Sequence, residues 1–114
     1  MSIRSDIAAA ASTVDGVTCA SNHRQLTRLG DACVRFVSNA RDDSGFGFLT
    51  TWQVWIALHQ DIATAEKWID DHTDALIAAL SPEMTVTTIA PAELNFGTNS
   101  IPGVIVEGIR GKEN

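Results

Sequence analysis

Residues 48–58, with the sequence FLTTWQVWIAL, decide how this chain folds. Successive side chains of a β-strand point to opposite faces, so alternate residues form two separate sets. The larger apolar set shares one face and consists of Phe48, Trp52, Val54, Ile56 and Leu58. The other face carries Leu49, Trp55 and Ala57. Both faces of this strand therefore need cover, and a single helix covers only one of them.

A long amphipathic helix is predicted directly after this strand, over residues 61–80. Asp61 is a natural N-cap, and Ser81-Pro82 ends the helix because proline cannot continue it. Seven of its side chains, five of them apolar, fall within about 120° of arc, the width of a stripe that faces a core. This stripe consists of Ile62, Ala65, Ile69, His72, Thr73, Leu76 and Leu80.

The rest of the chain predicts shorter elements. Ser2 or Ser5 caps a first helix through about Thr13, and Asp15-Gly16 ends it. Strands are expected at 17–21, 32–38, 85–90 and 104–109, loops at 39–47 and 91–102, and a flexible tail at about 111–114. The order predicts one α+β domain, residues 1–114, in which an N-terminal helix and a long central helix pack on a mostly antiparallel sheet.

Composition limits the partners that the chain can have. The net charge of −6 argues against a nucleic-acid backbone or an anionic membrane as the main partner. No apolar run is long enough to span a bilayer, and Asp6 interrupts the only apolar segment near the start, so we expect no signal peptide. Cys19 and Cys33 are too few for a disulfide framework, which favours an intracellular protein with reduced thiols.

No set of residues predicts catalysis, a cofactor or a metal. A zinc site typically includes a close pair of ligands, whereas Cys19 and Cys33 are fourteen residues apart and the three histidines are dispersed. The two cysteines are expected to be small buried hydrophobic residues on neighbouring strands. The chain has no nucleophile elbow and no phosphate-binding glycine loop. We therefore expect neither an enzyme nor a bound cofactor.

Trp55 and the two polar loops are the strongest candidates for contacts. Trp55 needs a covering layer that is supplied either by a neighbouring subunit or by the N-terminal helix. Phe46 and Phe96 are large apolar side chains in otherwise polar loops, which suits a contact that forms on assembly. The candidate interface set is Arg41, Asp42, Phe46, Trp55, Phe96 and Asn99.

The side of the long helix opposite its apolar stripe is acidic. Glu66, Asp70 and Asp74 follow one another at intervals of four residues and so share one surface of the helix. The simplest interpretation is a solvated face. The alternative is a face towards a positive partner, or towards a passage through which nucleic acid slides without binding.

Several segments, spread over nearly the whole chain, share a pattern with one known family. They are 2–11 (SIRSDIAAAA), 24–27 (RQLT), 51–58 (TWQVWIAL), Asp61 with 65–69 (AEKWI), 86–91 (VTTIAP) and 101–110 (IPGVIVEGIR). In these segments the chain resembles the tail terminator proteins of long-tailed (siphovirus-type) bacteriophages, particularly those of phages that infect actinobacteria. Cys19 and Cys33 are not part of the family pattern.

The resemblance implies a non-enzymatic α+β protein of the virion. Such proteins form a hexameric ring on the head-proximal end of the tail tube, stop its polymerisation and present the surface that joins tail to head. The implied partners are further copies of the chain, the tail tube protein and a head-completion or connector protein, while DNA passes through the ring without specific binding. Assembly would take place in the host cytoplasm.

Other interpretations stay open. The chain is alternatively another head–tail connector or completion protein, which shares small size and ring assembly. It is also compatible with a small monomeric or dimeric binding or regulatory domain that uses a groove near Trp68 and His72. The most remote alternative is an enzyme that uses Asp70, Asp71 and His72.

Overall fold

A five-stranded sheet and two helices make up the computed structural model, which describes residues 3–22, 30–41, 47–58, 61–96 and 99–113. The elements in chain order are α1 (Ile3–Ala11), β1 (Thr18–Ala20), β2 (Asp31–Arg41), β3 (Gly47–Ala57), α2 (Ile62–Leu80), β4 (Thr85–Phe96) and β5 (Asn99–Glu113). The strand order is β1-β2-β3-β5-β4. β1 is parallel to β2 and the other neighbouring pairs are antiparallel. The predicted α+β class is confirmed.

Both helices pack on one face of the sheet, here called the inner face. Ile7 and Ala11 of α1 and Leu76 and Leu80 of α2 are fully buried in the same core. The sheet contributes the larger alternating set of β3, of which Trp52, Val54, Ile56 and Leu58 are buried, while the side chain of Phe48 lies outside the described residues. The larger apolar set of β3 and the apolar stripe of α2 therefore pack in the same core, as predicted.

Arg4 fixes α1 to the inner face. Its Nη1 donates to the carbonyl oxygens of Val34 at 2.9 Å and Ser21 at 3.2 Å. The guanidinium also lies 5.3 Å from the ring centroid of Trp52. Because α1 packs on the Trp52 side, it does not cover Trp55, and that alternative from the sequence is wrong.

The second half of the sheet corrects the predicted loop at 91–102. β4 continues through Phe96 and β5 begins at Asn99, with Pro91 paired with Val104 and Glu93 paired with Pro102. Proline is tolerated at Pro91 because β4 is an edge strand, where a missing N–H need not interrupt the ladder. The carbonyl oxygen of Pro102 accepts the N–H of Leu58 at 3.0 Å.

Two other boundaries differ from the prediction. Residues 39–41 extend β2 instead of beginning a loop, and residues 111–113 pair with β3 instead of forming a free tail. The start of β3 joins these two strand ends, because Phe48 pairs with Arg41 of β2 on one side and with Lys112 of β5 on the other. Pairing partners that are distant in the sequence thus overrule the local polar composition.

Gly103 allows β5 to pack closely against its neighbours. A Cβ atom at this position would lie 2.5 Å from the carbonyl oxygen of Ile56 and 2.5 Å from Cδ1 of Leu94. The fully buried Leu94 side chain takes the place that a side chain at position 103 would need.

Candidate assembly surfaces

The face of the sheet opposite the helices, here called the outer face, carries Trp55. Its apolar cluster consists of the buried side chains of Cys33, Ala57 and Leu94, with Trp55, Ile101 and Ile105 half-buried around them. Neither of the two described helices contributes to this cluster. Trp55 is therefore separate from the main core, as the alternation along β3 predicted.

A chain of polar contacts holds Trp55 in one orientation. The Arg35 guanidinium lies 4.6 Å from the ring centroid of Trp55, within the range of a cation–π interaction. The indole Nε1 donates to Oε1 of Gln53 at 2.9 Å, and Nε2 of Gln53 donates to Oε1 of Glu107 at 2.9 Å. We call Arg35, Gln53, Trp55 and Glu107 the Trp55 cluster. Trp and Arg are enriched among the residues that anchor protein contacts, and this cluster contains one of each.

Three members of the Trp55 cluster were not predicted from the sequence. Arg35, Gln53 and Glu107 lie opposite one another on β2, β3 and β5. Their outward positions follow from alternation along each strand, but their proximity depends on the register between strands. Glu107 is 54 residues from Gln53, so no local pattern in the sequence links them.

The remaining predicted interface residues do not form one site. Arg41 ends β2 opposite Phe48 of β3, and Phe48 pairs in turn with Lys112 of β5, whereas Phe96 and Asn99 pair with each other at the turn of the β4–β5 hairpin. Asn99 and Lys112 are thirteen residues apart on β5, or roughly 43 Å at 3.3 Å per residue. Asp42 and Phe46 lie outside the described residues, as do the side chains of Phe96 and Asn99.

Exposed apolar side chains concentrate on the far half of the β2–β3 hairpin. Phe36 and Val37 are each 46% exposed and Leu49 is 37% exposed, while Ile77 on α2 is the fourth large exposed apolar residue in the described part of the chain. Phe36 contacts Trp52 edge-on at 5.2 Å, and the ladder is irregular between Phe36 and Ser38. We call residues 36–41 and 49–51 the hairpin arm.

A groove lies between the N-terminal half of α2 and the β4–β5 hairpin. Its volume is about 440 Å³, and its apolar lining includes Ala65, Ile69, Pro91 and Pro102. Glu66 and Glu93 also line it, and Glu93 accepts a hydrogen bond from Oγ of Ser100 at 2.8 Å. We call this concavity the α2–β4 groove. Glu66 therefore borders an apolar surface as well as solvent.

The acidic face of α2 is exposed at all three predicted positions, Glu66, Asp70 and Asp74. Lys67 forms an ion pair with Asp71 at 3.1 Å. An exposed pair of this kind contributes little to stability, so the face tolerates change.

His72 and Trp68 pack on each other instead of lining a site. Their rings stack with centroids 4.0 Å apart, and Nδ1 of His72 donates to the carbonyl oxygen of Trp68 at 2.7 Å. Among the described residues, no three His, Cys, Asp or Glu side chains are grouped so that they would hold a metal ion. Cys19 and Cys33 lie on the neighbouring strands β1 and β2, as predicted, but only Cys33 is buried, whereas Cys19 is half-buried.

No protein-family model matches this sequence, and no curated protein matches it. The fold defines the chain as a two-layer α+β protein with both described helices on one face of its sheet. In the described ranges, neither helix is long and apolar enough to cross a membrane.

Proposed function

We propose that this chain is a structural assembly subunit that forms a hexameric ring, and that the ring is a phage tail terminator. The observation that carries the proposal is the Trp55 cluster, a fixed aromatic group on a sheet face to which neither described helix contributes apolar cover. The family resemblance of the sequence supports the same function.

A closed ring is built from head-to-tail contacts, so each subunit must present two different surfaces. The hairpin arm and the α2–β4 groove are two such surfaces, one carried by β2 and β3 and the other by α2, β4 and β5. The outer face around Trp55 gives a third surface, on which we expect a neighbouring subunit to pack. This asymmetry favours a ring over a two-fold dimer.

In the proposed role, the ring sits on the head-proximal end of the tail tube in the virion, after assembly in the host cytoplasm. One side binds the tail tube protein and stops its polymerisation, and the other binds a head-completion or connector protein. Glu66, Asp70 and Asp74 are candidates for the face that lines the lumen. An acidic lumen repels the phosphate backbone, so DNA passes without binding.

The native mass of the purified protein tests this proposal. Native mass spectrometry is expected to give a species of about six subunits of 12.2 kDa each. If the free protein is monomeric, the ring is expected on the head-proximal ends of purified tail tubes, where bound subunits are counted by electron microscopy. A monomer that also fails to bind tube ends contradicts the proposal.

The α2–β4 groove favours a second candidate, a small binding or regulatory domain. A groove of about 440 Å³ has the size of many ligand sites. A protein of this kind stays a monomer or dimer at every concentration and does not bind tail tubes. Another head–tail connector is also a ring, and it differs from a terminator because it binds the head vertex instead of the tube end.

A further inference from the structure

We propose that the α2–β4 groove binds one basic side chain, an arginine or a lysine, of a partner protein. In this contact the aliphatic stem of the side chain lies on the apolar lining, and its charged end reaches Glu66 and Glu93. The inference goes beyond the proposed function, because it adds a binding site and leaves the hairpin arm and the outer face for contacts between ring subunits.

The groove has one wall from a helix and one wall from a pair of strands. On α2, Ala65 and Ile69 are one helical turn apart, and both line the groove. On the sheet, Glu93 of β4 lies opposite Pro102 of β5, and Pro91 is two residues before Glu93 on the same face of the strand. All of these positions belong to regular elements, so the groove exists before a ligand binds.

The apolar part of the lining is rigid. Pro91 and Pro102 contribute closed rings, and the carbonyl oxygen of Pro102 accepts the N–H of Leu58 at 3.0 Å. A preorganised surface loses little freedom when a ligand packs on it. The volume of about 440 Å³ is near the lower end of the range for ligand sites, which suits a side chain or a short peptide. The long stems of lysine and arginine pack well on such apolar surfaces.

The two acidic residues of the groove come from its two different walls, Glu66 from α2 and Glu93 from β4. Oε2 of Glu93 accepts a hydrogen bond from Oγ of Ser100 at 2.8 Å, which orients the carboxylate. In the described structure, the other oxygen of Glu93 and the carboxylate of Glu66 have no hydrogen-bond or ion-pair partner. None of the residues that line the groove is basic. The groove therefore favours a ligand that joins an apolar stem to a positive charge.

The described part of a second copy does not supply this positive charge. Every basic side chain that the structure describes already has a partner in its own subunit. These side chains are Arg4, Arg35, Arg41, Lys67 and Arg110. The side chains of Arg24, Arg28 and Lys112 lie outside the described residues. The occupant that fits is therefore a basic side chain of another protein, and self-association is one of the outcomes of the test.

An NMR titration of the full chain with a short peptide tests the inference. The probe is the tripeptide leucine–arginine–leucine, blocked at both ends, and its match carries citrulline, which is similar in shape to arginine but lacks the charge. The arginine peptide is expected to shift the amide signals of Ala65, Ile69 and Ala92. The citrulline peptide is expected to bind about tenfold more weakly, because it loses the charge-assisted hydrogen bonds.

Two paired variants locate the effect of charge. Glu66→Gln combined with Glu93→Gln is expected to weaken binding of the arginine peptide about tenfold and to leave binding of the citrulline peptide unchanged. The matched control, Asp70→Asn combined with Asp74→Asn, removes the same charge from α2 outside the groove and is expected to keep the affinity. All four side chains are exposed, so both variants are expected to fold.

Separate results overturn each part of the inference. If the amide signals of the lining stay unchanged up to the solubility limit of the arginine peptide, the groove is not its site. If the two peptides bind equally, or if both paired variants lose affinity equally, the groove does not select a positive charge. If the same amide signals shift when the protein alone is concentrated, the occupant is a second copy of this chain.

The peptide titration and the native mass fail independently. A hexamer whose groove does not bind the arginine peptide overturns this inference and leaves the ring intact. A protein that binds the peptide in the groove, but stays monomeric both alone and with tail tubes, keeps this inference and removes the ring.

Discussion

At the residue scale, β3 places two polar atoms in the core without hydrogen bonds. Thr50 and Trp52 are 5% and 7% exposed, and in the described structure Oγ1 of Thr50 and Nε1 of Trp52 have no hydrogen-bond partner. Burying an unpaired donor or acceptor costs about 1–3 kcal/mol. Both residues lie on the inner face because the strand alternates, so the same pattern that builds the core also buries these atoms.

Replacing Thr50 with valine is expected to stabilise the protein. Thr50→Val keeps the shape of the side chain and removes the unpaired hydroxyl, so the free energy of unfolding should rise by about 1 kcal/mol. The measurement is the urea midpoint, with Thr88→Val at an exposed position of β4 as the control. A loss of stability in Thr50→Val would indicate that the hydroxyl has a partner in solution.

At the element scale, the β4–β5 hairpin decides the shape of one end of the sheet. The prolines at both ends of 91–102 and the polar residues near its turn favoured a loop, and pairing along the whole segment overruled that preference. The register between β4 and β5 depends on contacts between the two strands, such as the packing of the Leu94 side chain of β4 against Gly103 of β5. Local propensity carries no information about such a contact.

Gly103→Ala is expected to destabilise the protein, because the new methyl group meets the backbone of Ile56 as well as Leu94. Overpacking of this kind typically costs about 1–3 kcal/mol. The matched control is Gly111→Ala on the same strand, where a Cβ atom has no neighbour within 4 Å. Urea unfolding of the two variants measures the difference. Equal urea midpoints for the two variants would contradict this prediction. They would indicate that β3 and β5 move apart at Ile56 with little loss of stability.

At the scale of the whole molecule, the two faces of the sheet differ in what packs on them. The buried apolar side chains of the described helices belong to the core on the inner face, and the outer face holds the Trp55 cluster. The hairpin arm and the β4–β5 turn lie towards opposite ends of a molecule whose longest dimension is 45 Å. Surfaces so far apart suit a subunit that contacts different neighbours with different parts.

Trp55→Asp is expected to leave the monomer folded and to abolish the proposed hexamer. Trp55 packs against the outer-face cluster and is not part of the core beneath the helices. The measurements are circular dichroism for folding and native mass for assembly. Ile77→Asp, an equally drastic change at an exposed site on α2, is the control and should retain the hexamer. Unfolding of Trp55→Asp would show that the outer face is needed for folding itself.

Patterns in the sequence were enough to predict the α+β class, the central strand with its two faces, the long helix and the separation of Trp55 from the core. These features follow from periodicity, because alternation and helical spacing are local properties. Which of these parts lie together is visible only in the folded chain: α1 on the Trp52 side, Arg35, Gln53 and Glu107 around Trp55, and Arg41 far from Phe96. The reason is that strand register and helix placement depend on contacts between distant residues, whose energies outweigh local preference.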